Sequence, residues 1–184
     1  MEFDVSYYKF HGVDRAGLID ALGLRETGTP DPGGEAPYAI ADLPNGWFVI
    51  RVDNDSGLLA DYDRTTLARE GRLVTCDVGS VDPVSQAQGY DAGEECWSVV
   101  HDGRGGEMLA LEIRGEAPPA VPALHKEAFA ATRAMMERGE TRGPSPMLDV
   151  PLAVVKSVTG FRHDEPQLVS PEPVFMWLAP KDPK

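Results

Sequence analysis

The sequence predicts an α+β fold: a single antiparallel β-sheet of about five to seven strands with two or three helices packed on it. Three observations carry that expectation. Strand-like runs follow one another through residues 1–114 with turn signals between them, rather than alternating with helices as a parallel sheet requires. Helical patterns gather instead in residues 122–160. The 184 residues are 42% hydrophobic and 26% charged, the composition of one globular domain that buries a core without a metal or a disulfide. The chain therefore reads as a single domain over 1–184: a meander-rich part to 114, a helical part over 122–160 and a closing segment over 161–184. Nineteen glycines and sixteen prolines predict long, punctuated loops.

The first strand is expected over residues 3–10, which are β-prone. Asp14 then caps a short helix through Leu22, with Ala16, Leu18, Ile19 and Leu22 for its buried face, and Gly23 ends it through a positive φ. Residues 26–37, with three prolines around Gly33-Gly34, read as loop. Tyr38–Leu43 and Trp47–Asp53 form a hairpin over Asn45-Gly46. Apolar residues occupy both phases of Trp47–Val52, so that strand is expected in the sheet centre, covered on both sides. Asn54–Gly57 is a turn cluster, and Asp63 or Thr65 caps a short helix ending near Gly71. Leu73–Val78 is a strand. Residues 79–94 lack a period and read as a long loop. Cys96–His101 and Met108–Arg114 are strands joined by the glycine-rich turn Asp102–Gly106.

Gly115–Pro122 is a connector with three prolines. Ala123–Arg138 is the best helix, with Leu124, Ala128, Ala131 and Met135 on one face and Gly139 as its stop. Asp149 is expected to cap a second helix ending at Gly160. Its Leu152, Val154, Val155 and Val158 are apolar nearly all round, which implies burial. Pro173–Leu178 closes the chain as a strand. All helices are expected on one sheet face. Trp47, Trp97 and Trp177 fall in strands and read as core.

The run from Pro44-Asn45-Gly46-Trp47 through Trp97-Ser98-Val99-Val100-His101-Asp102 to Thr159-Gly160-Phe161-Arg162-His163-Asp164 resembles a set of small bacterial proteins. The resemblance covers most of the chain. It implies a single bacterial domain and lends no activity.

Charge is the most informative bulk property. Thirty Asp and Glu against seventeen Lys and Arg give −13. Residues 1–102 hold 19 acids and 7 bases; residues 103–184 hold 11 acids and 10 bases. The negative potential therefore belongs to the front part of the chain. Such a chain lacks the basic patch that nucleic acid or an anionic membrane surface demands. It suits a basic protein partner instead, whose approach a field of one sign accelerates. The N-terminus shows no signal-peptide pattern, so the expected location is the cytoplasm, with Cys76 and Cys96 as buried thiols.

The expected partner-binding edge comprises Asp53, Asp55, Asp61, Asp63, Glu94 and Glu95, provided the strand after Glu95 neighbours the meander. Asp53–Gly57 is not a calcium loop. With Asp53 as position one, position six is Leu58 and position twelve Arg64, where an EF-hand needs Gly and Glu. The alternative is a pocket of a small hydrolase or ligand-binding protein built from Cys96, His101, Asp102 and His163, should the two His-Asp pairs meet in space. Against catalysis, adjacent strand residues point to opposite faces, and Glu94 and Glu95 disfavour a thiolate at Cys96. No catalytic residue, cofactor or metal site is assigned. The composition fits a non-catalytic interaction protein, immunity- or antitoxin-like, whose basic partner would be a protein such as a toxin.

Overall fold

The computed structural model describes residues 5–53, 62–79, 83–140 and 144–181. Among the described residues, nine strands form one antiparallel sheet: β1 (Val5–His11), β2 (Leu24–Pro30), β3 (Tyr38–Asp42), β4 (Trp47–Asp53), β5 (Arg72–Val78), β6 (Val84–Asp91), β7 (Glu94–Asp102), β8 (Glu112–Gly115) and β9 (Met176–Pro180). Their order is β2-β9-β3-β4-β1-β5-β6-β7-β8. Four α-helices accompany them among the described residues: α1 (Arg15–Ala21), α2 (Arg64–Leu67), α3 (Val121–Glu137) and α4 (Asp149–Thr159). The α+β class and the single antiparallel sheet stand, but the sheet is wider than five to seven strands and carries more than three helices.

Both faces of the sheet are covered, which corrects the expectation of one. On the first face α4 lies over β5, β6 and β7, and α3 packs outside α4. The core there comprises Trp47, Val49, Val74, Cys76, Ala87, Trp97 and Val99 against Val150, Val154 and Val155 of α4. On the second face α1 and α2 bring Leu18, Ile19, Leu22 and Leu67 against Phe10, Phe48, Ile50, Ile40 and Leu73. The period-two alternation of β1, β4 and β5 thus feeds two cores. β4 is central and apolar in both phases because each phase has a helix layer to meet.

Local signals behave as their chemistry demands at several places. Asp14 accepts from the amides of Ala16 and Gly17 at the start of α1. Asn45 and Gly46 take φ of 62° and 77° and turn β3 into β4, with the Leu43 amide on the Trp47 carbonyl at 2.8 Å. Elsewhere the expectations fail. The segment assigned to loop over 26–37 contributes β2 to the sheet edge, and the long loop of 79–94 contributes β6. Asp149 is the first residue of α4 rather than its cap; Leu148 stands at the cap with no side-chain bond. Cys76 is buried as expected, but Cys96 is exposed. Trp47 and Trp97 are core, whereas Trp177 on β9 is 37% exposed.

Candidate functional site

Strand pairing decides which charged residues meet. Trp47, His11, Arg72, Asp91 and Glu94 are register partners in turn across β4, β1, β5, β6 and β7, so they mark one end of the sheet. Glu94 and Glu95 open β7 at that end. Asp91 faces Glu94 across the tight turn, the Ala92 amide bonds the carbonyl of Gly71 beside Glu70, and the Glu116 amide bonds the Cys96 carbonyl. Five exposed carboxylates, of Glu70, Asp91, Glu94, Glu95 and Glu116, therefore gather there. Arg69 and Arg72 are the basic residues of the same stretch. The Arg72 guanidinium is 5.5 Å from the Trp47 ring.

The expected edge is divided by this arrangement. Three strands separate β7 from β4. Asp53 ends β4 at the pole away from Trp47, about 20 Å along a seven-residue strand at ~3.3 Å per residue. Asp63 caps α2, where the hydroxyl and amide of Thr65 hold its carboxyl below the usual range. It belongs with Glu95 through a chain of bonds: Arg64 donates to Gln88, whose amide donates to Glu95 at 3.2 Å. Asp55 and Asp61 lie outside the described residues.

Arg64 does more than link Asp63 to the edge. It reaches under α2 to Asp77 at 3.0 Å, and Asp77 also accepts from Ser6 at 2.5 Å. Asp77 is wholly buried, so its charge needs both partners. The network anchors α2, and with it the start of the acidic edge, to β1, β5 and β6.

The two His-Asp pairs do not converge. His101 is fully buried on β7, with Nδ1–H donating to the Ala110 carbonyl at 2.7 Å. It fastens the loop before β8 to the sheet. Asp102 clamps Arg104 at 2.9 and 2.5 Å, and the guanidinium holds its carboxyl down to about 2. Asp164 clamps Arg162 in the same way at 2.6 and 2.7 Å. His163 follows α4 and stacks on Tyr7, ring centroids 4.4 Å apart. Tyr7 lies three strands from β7 in the row Tyr7–Cys76–Ala87–Val99, a separation of about 14 Å at ~4.8 Å per strand. His101 and His163 thus share no shell. Cys96 sits at the far end of β7 from His101. Among the described residues no group of three or more His, Cys, Asp or Glu is arranged to hold a metal ion.

His163 instead belongs to a cleft of about 460 Å³ that the sequence alone did not reveal. Tyr7, Arg51 and His163 line it together with the loop 30–34 and Phe175. Arg51 is locked in place: it bonds Asp31 at 2.7 Å and the carbonyls of Gly34 and Ala36 at 2.6 Å. Gly34 is required there, since a Cβ would stand 2.5 Å from the guanidinium and its φ is +69°. Burial, reinforced by Lys9, lowers the His163 imidazole to about 4, so it is neutral at pH 7. Burial also lifts the Tyr7 phenol to about 12. Lys9 lies behind this cleft, 1% exposed, its ammonium 5.5 Å from the Tyr7 ring and 5.7 Å from that of Phe161.

Compared with known proteins, the chain matches no family model, no curated protein and no solved structure. No helix among the described residues is long and apolar enough to cross a membrane.

Proposed function

We propose that this chain is a non-catalytic interaction protein that meets a basic protein partner through its acidic edge, in the manner of an immunity or antitoxin-like inhibitor. One observation carries the reading. Glu70, Asp91, Glu94, Glu95 and Glu116 stand exposed at one end of the sheet, while ten basic side chains of the described residues are engaged in ion pairs with carboxylates of the same chain. With only Arg69 and Arg72 set against these five carboxylates, an approaching protein meets net negative charge, which raises the encounter rate of a cation and repels an anion. The dispersal of the two His-Asp pairs into structural roles favours binding over chemistry. The test is capture from a lysate of the native host on the immobilised chain, eluted with rising salt. A basic protein retained at low salt and released as salt rises is the expected result. Recovery of acidic proteins alone, or of none, overturns the reading.

A second reading, a small-molecule binding protein, is favoured by the cleft over Tyr7 and His163 with its pre-ordered Arg51. A compound that raises the melting temperature of the parent but not of the His163→Ala protein would support it. A screen in which every stabilising compound acts equally on both proteins would count against it.

A further inference from the structure

We propose that a groove beside the acidic edge receives an arginine side chain of the partner. The inference rests on the basic-partner reading above and adds the place of contact and the chemistry of the anchor. The groove, about 540 Å³, lies on the α4 side of the sheet where β6 and β7 meet the connector before α3. Val74, Trp97, Val158 and Pro118 give it an apolar lining; Asp91 and Glu116 stand at its rim.

The apolar lining is held by an intimate contact. Trp97 lies over Gly89, so closely that a Cβ at residue 89 would come within 2.2 Å of the indole. The indole is thereby fixed in the groove wall. The groove also contains Arg72, but its two carboxylates, of Asp91 and Glu116, outnumber that one guanidinium, so the balance of its lining is negative. An apolar trough rimmed by carboxylates matches one side chain above others. The arginine stem covers apolar surface, its planar guanidinium lies on an aromatic face, and its fork bonds carboxylates. A neutral or acidic anchor leaves the rim charges uncompensated as they lose water.

Cys96 lines the same groove with an exposed thiol, while Cys76 is buried. It reports on the groove without any added label. The native chain is treated with a cationic trimethylammonium methanethiosulfonate and, separately, with an anionic sulfonate methanethiosulfonate. Rates at Cys96 are read by peptide mass and divided by those of 2-mercaptoethanol. The cationic reagent is expected to be favoured about tenfold at low salt, and the preference to collapse in the Asp91→Asn/Glu116→Gln protein. N-acetyl-arginine amide is expected to slow labelling, and the uncharged citrulline analogue to leave it unchanged. Absence of charge preference, or equal protection by citrulline, overturns the groove as an arginine site.

The lysate capture separates this inference from the reading beneath it. A basic partner bound by the parent and lost by the Asp91→Asn/Glu116→Gln protein supports both. A basic partner bound equally by the two proteins overturns the groove and leaves the basic-partner reading standing. Arginine protection at Cys96 with no basic partner captured supports the groove and overturns that reading.

Discussion

Lys9 is the residue whose chemistry departs furthest from its type. It is buried near Cys76 and Asp77, with its ammonium over the rings of Tyr7 and Phe161. Burial lowers it to about 8 from an ordinary 10.5. Between those values the unfolded chain holds the proton more tightly, so stability rises with pH across that window. Cys76 acts in the opposite sense. Burial lifts its thiol to about 11 from 9, so its contribution is complete below pH 9 and is lost as pH rises toward 11. The Lys9 effect is therefore cleanest between pH 8 and 9. Urea unfolding should show the parent gaining stability over that interval. The Lys9→Met protein should lack the gain and be more stable at neutral pH by about 1 kcal/mol or more, because an apolar isostere removes a buried charge. A destabilised Lys9→Met protein would mean that the ammonium is needed where it lies.

His163 makes a second residue-scale case with the same sign and a lower window. Its folded value of about 4 against 6.5 means that stability is complete above pH 6.5 and declines as pH falls toward 4. His163→Phe keeps an aromatic ring over Tyr7 and removes the titration. Thermal melts from pH 7 to pH 4 should therefore fall less steeply in that protein than in the parent. Parallel curves would assign the acid sensitivity to other groups.

At the scale of elements, β6 shows why a strand escapes detection. Its residues facing α4 are Ser85, Ala87 and Gly89, too small to register as a hydrophobic phase. Small side chains are what the packing demands: Ser85 donates to the Leu148 carbonyl at 2.7 Å, Ala87 lies in the core and Gly89 lies beneath Trp97. Its other phase carries Gln86 and Gln88, the second tied to Arg64. Gly89→Ala should cost about 1–3 kcal/mol in urea unfolding, the range for over-packing a tight contact, and should alter the near-ultraviolet signal of Trp97. A neutral substitution would show that the indole is free to shift. The same blindness hid β2, whose charged and glycine-bearing residues lie mostly exposed at the sheet edge. Where local chemistry decides the outcome, as with Asp14 at α1 or Asn45-Gly46 between β3 and β4, the sequence is readable. Where partners lie far along the chain it is not. Glu94 and Glu95 are adjacent and visible as a pair, but Glu70, Asp91 and Glu116 join them only through strand register. Tyr7 and His163 stack across nearly the whole chain, and no local signal announces it.

The whole molecule is a balance between a net charge of −13 and a set of internal ion pairs. The excess carboxylates repel one another over distances comparable with the Debye length, about 10 Å at ~0.1 M salt. The pairs attract at contact. Two are shielded from salt by burial: Arg64–Asp77 has one partner wholly buried, and Arg51–Asp31 has side chains only 15% and 3% exposed. Exposed pairs such as Arg114–Glu112 contribute little in any medium. Added salt therefore screens the repulsion more than the attraction that matters. Raising sodium chloride from about 0.02 to about 0.2 M should increase the melting temperature by a few degrees, measured by circular dichroism. The same addition should weaken capture of a basic partner, because the charge that strains the free protein is the charge that attracts it. A melting temperature that falls with salt would mean that surface pairing, rather than surplus charge, governs the electrostatics, and would remove the physical basis for steering a cation to the β6–β7 edge.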